Sequence, residues 1–388
     1  IAQVQSCDGQ QKLLAAVSMD TPPELLENDQ ERLTFQADSM AKLMRGVGFK
    51  GKRAQCAVSA LGTVVQSVQV QKMPGVPLAD MVKEQLRLVT GRDPRSMIVR
   101  WHEVGEVSRG GHKRTEVLCI AMPRELVMGH MKLMRAAKLE PVGIHSEHMA
   151  AMRSFDSITR RSADAELTSL YVDLGYGTTN VMVAHGRELV FGKTLHIGGR
   201  AMDQEIARRA NCTTEESRRR RRELAWTPCW SAAAKARAAA PVAVGAAVEA
   251  DAQADEPAEV AEEQQERRGG APMSQATAQP DHREAMTDEH HPAEALEGLT
   301  EELGMCLRYY RALFPGRQIG RTVFVGGEAR QLGLCKLVAR AMRLPAQVAD
   351  PLTPLQHPTE KSVRGVDLTS PQPGWAVPIG LCWCPTDL

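Results

Sequence analysis

The seven residues Asp173-Leu174-Gly175-Tyr176-Gly177-Thr178-Thr179 hold the densest potential chemistry in the chain. Gly175 and Gly177 would let backbone N–H groups approach an anion with no Cβ in the way, and the Thr178 and Thr179 hydroxyls add donors. An aspartate that ends a strand, as Asp173 does here, is well placed to hold Mg2+, usually through water. The same residues also suit an ordinary hairpin turn, in which Asp and Gly are common. A second stretch, Val325-Gly326-Gly327-Glu328-Ala329, follows a short apolar run and precedes a helical pattern. Glycines in that position let a nucleotide lie flat against the backbone beside a helix N-terminus; a tight strand-to-helix turn has the same composition. Ile197-Gly198-Gly199, opening another helix, is open to both readings. Arg218–Arg222 is a run of five arginines. Such a run can meet acidic lipid or nucleic acid, but no aromatics interleave for base stacking. A solvated, charged helix end beside an insertion accounts for it more simply.

The elements that must position these residues follow from periodicity. Residues 1–6 alternate around an Asp8-Gly9 turn and the run Leu13–Val17, which predicts a hairpin. Leu33, Met40, Leu43 and Met44 form a helical stripe stopped by Gly46 and Gly48. From 53 to 145 the pattern reads strand, helix, strand, strand, helix, strand. Ala54–Ala60 and Val68–Gln71 are apolar or alternating, and Leu78, Met81, Val82, Leu86 and Val89 keep helical spacing. Met97–Val104 and Glu116–Ala121 flank Arg109-Gly110-Gly111, Pro123 opens a helix to Ala137, and Pro141–His145 closes the unit. One small sheet with helices on one face is expected. Leu170–Leu174, Val181–Ala184 and Leu189–Leu195 predict three close strands, followed by a helix from Arg200 to Ala210. Later come the long stripe Leu296, Leu299, Leu303, Cys306, Leu307, Tyr310 and Phe314, the strand Arg321–Val325, a helix through Met342 and the strand Ala346–Ala349. Gln356–Pro373 reads as loop, and Trp375–Trp383 as a short apolar close.

Composition sets the limits. The 388 residues suggest two or three domains, and 43% hydrophobic with 24% charged is the balance of a soluble globular chain. Lys plus Arg is 48 against 47 for Asp plus Glu, net +1, which excludes a globally basic nucleic-acid binder. No apolar run reaches membrane-spanning length and no secretory signal opens the chain. The nine cysteines follow no framework spacing and suit a reducing compartment, so a cytoplasmic location is expected. Ser231–Arg308 has no Phe, Trp or Tyr; a stretch of that kind buries too little apolar surface to offset its ordering entropy. Residues 225–293 are therefore expected to be a disordered or loosely helical insertion.

An Asp-x-Gly-x-x-Thr-Thr hairpin, a strand leading to Gly-Gly and a helix, and a later strand–Gly-Gly–helix occur in the order found in the actin-like ATPases. More closely, the chain resembles the bacterial type IV pilus assembly PilM family. Gly51-Lys52-Arg53, residues 137–143, Val325–Leu334, Asp350-Pro351-Leu352 and Trp375–Leu381 carry that resemblance. It implies an α/β, two-lobed actin-like ATPase fold with an inserted small α+β subdomain and a low-complexity insertion. The implied divisions are the first-lobe start (1–49), the small subdomain (50–147), an inter-lobe helix (148–165) and the second lobe with its phosphate hairpin (166–224). The insertion (225–293), the second lobe with its adenosine motif (294–350) and a return to the first lobe (351–388) complete the chain.

The resemblance also implies roles. Asp173, Gly175, Gly177, Thr178 and Thr179 match the second phosphate-binding hairpin, Gly198 and Gly199 the helix opening beside it, and Gly326, Gly327 and Ala329 the adenosine motif. The cofactors would be ATP and Mg2+, with Asp173 on the metal. Glu147 falls where relatives often carry a water-positioning polar residue, although a helix-start Glu favoured by the dipole has the same address. Three departures accompany these matches. The chain starts just after the place of the family's first Asp-x-Gly loop, Arg218 and Arg221 align with a Glu and a Lys that face ribose and base, and Glu328 replaces a usual Gly or Ser. Weak ATP binding and at most slow hydrolysis are expected. The implied role is a hub at the inner membrane that docks the N-terminal cytoplasmic tail of a bitopic PilN-like protein among other pilus components, reaching the membrane only through partners. A nucleotide-free scaffold of a pilus or type II secretion system is the alternative; an FtsA-type protein would end in a basic amphipathic helix, unlike Gly380–Leu388.

Overall fold

A computed structural model describes residues 1–7, 10–26, 28–109, 112–156, 167–224, 226, 291–356 and 362–386. The expected Asp8-Gly9 turn, the turn glycines at 110 and 111, the helix continuation from 157 to 165 and nearly all of 225–293 lie outside these residues. Alternation at the start produces the antiparallel pair β1 (Ala2–Cys7) and β2 (Gln10–Val17). Leu13, Ala15, Ala16 and Val17 bury the end of β2. Helix α1 (Asp29–Met44) begins where the Asn28 side chain accepts the Glu31 N–H at 3.2 Å, supplying one of the partners a first turn lacks.

The next stretch contains β3 (Arg53–Val58), β4 (Val64–Val70), α2 (Leu78–Thr90), β5 (Met97–Arg109), β6 (His112–Pro123), α3 (Arg124–Ala136) and β7 (Glu140–Ser146). The expected elements are present, but they form two sheets where one was expected. A 3-10 turn at Ala60–Gly62 redirects the chain after β3, which pairs in parallel with β7, while β4, β6 and β5 form an antiparallel sheet in that order. Successive side chains of β6 point to opposite faces. Val117, Cys119 and Ala121 meet Met81, Val82 and Leu86 of α2. Leu118 and Ile120, on the other face, join Tyr171, Met182 and Leu189 farther along the chain.

Those last residues belong to the central sheet. Helix α4 (Glu147–Arg153) leads toward it, capped by Ser146 Oγ, which accepts the Met149 N–H at 3.2 Å. The sheet comprises β8 (Thr168–Leu174), β9 (Thr179–His185), β10 (Glu188–Leu195), β11 (Arg321–Val325) and β12 (Ala346–Val348), in the order β10-β9-β8-β11-β12. β8, β11 and β12 run parallel, as strands covered on both faces do, and β9 and β10 extend the sheet antiparallel. Between β10 and β11 lie α5 (Gly199–Ala210), α6 (Thr214–Glu223) and α7 (Ala293–Leu313), and α8 (Leu332–Met342) follows β11. The predicted stripe of α7, Leu296, Leu299, Leu303, Cys306, Leu307 and Tyr310, packs into the same core as Leu334, Leu337 and Val338 of α8. Gly192 of β10 lets the β4 sheet approach, since a Cβ there would stand 2.6 Å from Val65 Cγ1. The closing apolar segment is a helix, α9 (Ala376–Leu381), preceded by the two-residue β13 (Val363–Arg364), which pairs with β2. α9 lies so close to α4 that a Cβ on Gly380 would overlap the Ala150 carbonyl oxygen.

Candidate functional site

Parallel pairing brings the two glycine turns together. Val325 pairs with Asp173, so β8 and β11 end side by side and the Asp173–Thr179 hairpin and the Gly326–Gly327 turn leave the same sheet edge. In open α/β sheets the carboxyl ends of parallel strands are where ligands bind. Gly326 has φ +94, and a Cβ there would overlap the Leu174 carbonyl and Asp173 Oδ1, so only glycine fits. Gly177 and Gly327 face space instead: a Cβ at either would have nothing within 4 Å. Ala329 is fully buried and donates its N–H to the Gly326 carbonyl at 3.2 Å, which closes the turn.

The hairpin is built against the start of α5. Gly199 N–H donates to the Gly175 carbonyl at 3.1 Å and Arg200 N–H to the Tyr176 carbonyl at 2.7 Å. Gly198 has to lack a side chain, because a Cβ would stand 2.6 Å from both of those carbonyl oxygens. Thr179 is fully buried and commits its hydroxyl proton to the Ile197 carbonyl at 2.7 Å. The Thr178 carbonyl accepts from Gly175 N–H at 3.0 Å. Two of the first amides of α5 are thus satisfied by the hairpin.

A polar chain runs behind Asp173. Asn180, its direct cross-strand partner, donates Nδ2–H to Asp173 Oδ2 at 3.1 Å. Thr194 of β10 donates its hydroxyl to Asn180 Oδ1 at 3.1 Å and lies 3.0 Å from His148 Nε2. With the threonine proton spent on Asn180, its oxygen accepts from His148, which assigns the proton to Nε2. Burial pushes the His148 pKa down to about 4, so the ring is neutral. Burial also raises the Asp173 pKa, against the opposing Asn180 hydrogen bond. Among the described residues no cation pairs with Asp173, although Mg2+ is commonly held by one or two carboxylates with waters and phosphate oxygens completing its shell. No group of three or more His, Cys, Asp or Glu that could hold a metal lies among the described residues.

Glu147, at the start of α4, faces the same region. Its Oε2 accepts the Ala60 N–H at 2.8 Å. Burial, and then the nearby Asp173 carboxylate, push its pKa up to about 7, against the Ala60 bond and Arg32. The site therefore holds a carboxyl that exchanges its proton near neutrality beside one that lacks a counter-ion, a pair suited to orienting water.

The arginine run departs from the solvated helix end expected. Arg219 and Arg222 are exposed, and Arg220 pairs with Glu216 at 2.5 Å one turn back. Arg218 stacks over the Tyr176 ring at 4.3 Å and reaches Asp203 Oδ2 at 3.4 Å. Arg221 has no exposure at all; its Nε meets Asp203 Oδ1 at 2.6 Å and its Nη1 meets Glu328 Oε2 at 2.5 Å. Helical spacing explains part of the difference, since three residues from 218 to 221 keep both on the face toward α5 while 219 lies on the far side of the helix.

An α/β chain whose Asp173–Thr179 hairpin and strand–Gly-Gly turn leave one sheet edge has the actin-like fold. The sequence profile of the type IV pilus assembly protein PilM matches residues 27–231, and the chain belongs to that family. A solved PilM–PilN type IV pilus biogenesis complex matches with a TM-score of 0.66 at 17% identity, over 98% of this chain and 94% of that one. The ethanolamine utilization protein EutJ from Carboxydothermus hydrogenoformans (TM-score 0.34, 13% identity, 65% and 59% covered) is more distant. So is MreB 5 of Spiroplasma citri bound to AMPPNP (TM-score 0.35, 13%, 67% and 63%). No curated protein matches the sequence. No helix among the described residues is long and apolar enough to cross a membrane.

Proposed function

We propose that this chain is an actin-like hub of the type IV pilus inner-membrane assembly complex, that it docks the N-terminal cytoplasmic tail of a bitopic, PilN-like partner, and that it uses its cleft as a conformational cue. Membership of the PilM family carries the reading. The docking surface assigned is the groove between the first lobe, with β1, β2 and α1, and the unit from β3 to β7. Strands β1 and β5 are edge strands of their sheets, and an edge strand offers main-chain donors and acceptors to an extended peptide. Pull-down of the cognate tail tests it. Deleting residues 231–290 should leave capture intact, and lost capture by a folded deletion protein would move the docking site into that segment.

The cleft fits Mg2+ and ATP in one half only. On the phosphate side, Asp173 would hold the metal through water, Gly177 and Thr178 would offer donors while Gly175 closes the turn through its N–H to the Thr178 carbonyl, and Glu147 would orient a water. Bound Mg2+ would neutralise phosphate charge there. On the nucleoside side, Glu328 and Arg221 already fill the space beside Gly199. That observation favours a second reading, a scaffold of a pilus or type II secretion system working without nucleotide. Calorimetric titration with Mg-ATP separates the two: binding abolished in Asp173→Asn supports the cue, and no heat from a folded protein supports the scaffold.

A further inference from the structure

Three elements beside the Asp173 sheet edge are joined at one buried point. Arg221 of α6 sits between Asp203 of α5 and Glu328 of the turn after β11. Its Nη1 and Nη2 meet Glu328 Oε2 and Oε1 at 2.5 and 3.2 Å, a fork-on-fork pair of the strong, directional kind. Asp203 is fully buried, and the Glu328 side chain keeps 15% of its exposure, so one edge of the triad still meets solvent. The Glu328 carboxylate is pressed so close to Gly199 that any Cβ there would overlap Oε1 and stand 2.8 Å from Arg221 Nη2. The Gly199 amide is already committed to the hairpin carbonyl, so the carboxylate is held by the guanidinium, with Gln331 Nε2 at 3.5 Å from Oε2 as a longer second donor. Two carboxylates face one buried guanidinium. Arg218, at 3.4 Å from Asp203, supplies the second positive charge from the rim.

We propose that Glu328 is a tethered occupant of the nucleoside half of the cleft, locked by Arg221 and Asp203, so that a nucleoside triphosphate is excluded until the Arg221–Glu328 pair opens. This rests on the reading of the cleft as a phosphate site. A ligand whose phosphates approach Asp173 must carry its nucleoside past the Gly326–Gly327 turn toward Gly199, where the carboxylate stands. The obstacle is steric: the carboxylate occupies the space beside Gly199 and its pairing with Arg221 keeps it there. Opening the pair would at once free Arg221 for the ligand and uncouple α6 from the turn after β11. Ligand entry and movement of the cleft walls are therefore one event.

Calorimetric titration of the full chain with Mg-ATP and with Mg-tripolyphosphate, which has no nucleoside, tests the lock. The wild-type protein should bind the two within about threefold of each other. Glu328→Ala should bind Mg-ATP at least about tenfold tighter than wild type and leave tripolyphosphate within about threefold, while Glu328→Ala with Asp173→Asn should lose both. Glu328→Ala retains the Arg221–Asp203 pair; should it still fail to fold, Glu328→Gln, which keeps the shape and removes the charge, decides with a smaller gain in the same direction. Wild-type protein that already prefers Mg-ATP about tenfold, or a variant with no gain, overturns the lock and leaves the phosphate site standing. Folded proteins that bind neither ligand in any form overturn both. A gain that survives Asp173→Asn places the ligand elsewhere and also overturns the lock.

Discussion

Replacing Glu147 by glutamine isolates the proton this carboxyl holds. Burial first, and the Asp173 carboxylate second, raise its pKa in the folded chain from 4.5 to about 7. At about 1.36 kcal/mol per pH unit, ionising Glu147 in the folded protein costs about 3 kcal/mol, a ceiling because the residue keeps some exposure. A folded pKa above the unfolded one means the contribution is intact below pH 4.5 and fully lost above about pH 7. His148, next in the chain, runs the other way. Burial lowers its pKa from 6.5 to about 4, so the unfolded chain takes up a proton that the folded one refuses, and stability rises with pH across that window. The two slopes nearly cancel in the wild-type profile. They do not cancel in the difference between wild type and Glu147→Gln, because His148 is common to both. Urea unfolding at about pH 4 and about pH 8 should show the variant gaining about 3 kcal/mol on wild type between them. A difference that stays within about 0.5 kcal/mol, or grows in the opposite sense, refutes the assignment of a buried, near-neutral carboxyl at this position.

Arg221→Ala strands the buried Asp203 with only the 3.4 Å contact to Arg218 and should cost about 3–5 kcal/mol in denaturant unfolding. Arg219→Ala, two positions away and exposed, should stay within about 0.5 kcal/mol; equal midpoints for the two would mean that the triad contributes nothing. Gly380→Ala forces a methyl onto the Ala150 carbonyl and should destabilise by about 1–3 kcal/mol as α9 is pushed off α4, visible as a lowered Tm; an unchanged Tm counts against that packing. Thr194→Val removes the hydroxyl between His148 and Asn180 and leaves His148 Nε2 and Asn180 Oδ1 without a partner, at about 2 kcal/mol, whereas Thr194→Ser should retain most of the stability; identical melts for the two variants would deny the polar chain behind Asp173.

Much of this protein follows from local order in the chain. The Asp173–Thr179 hairpin, the strand entering Gly326-Gly327 and the stripe from Leu296 to Tyr310 are written in adjacent residues, because turn chemistry and helical periodicity act over a few positions. Asn180 was within reach too, since a tight hairpin places it opposite Asp173 once the register is drawn. Family resemblance points to Glu147, but its near-neutral pKa comes from burial beside Asp173, which lies on a different element. Five identical arginines contain no pattern to say which is buried. Arg221 is distinguished by Glu328, 107 residues away, and by Asp203 on the neighbouring helix. The chain from His148 through Thr194 to Asn180 likewise joins α4, β10 and β9, and the division of residues 53–146 into two sheets depends on which strands meet after Ala60–Gly62 turns the backbone. Local propensity specifies elements and the turns between them. Charge pairing, desolvation and close backbone approach act between surfaces that meet only when the chain is folded, so which polar side chains are buried beside Asp173 and Gly199, and with which partners, was decided by the tertiary structure.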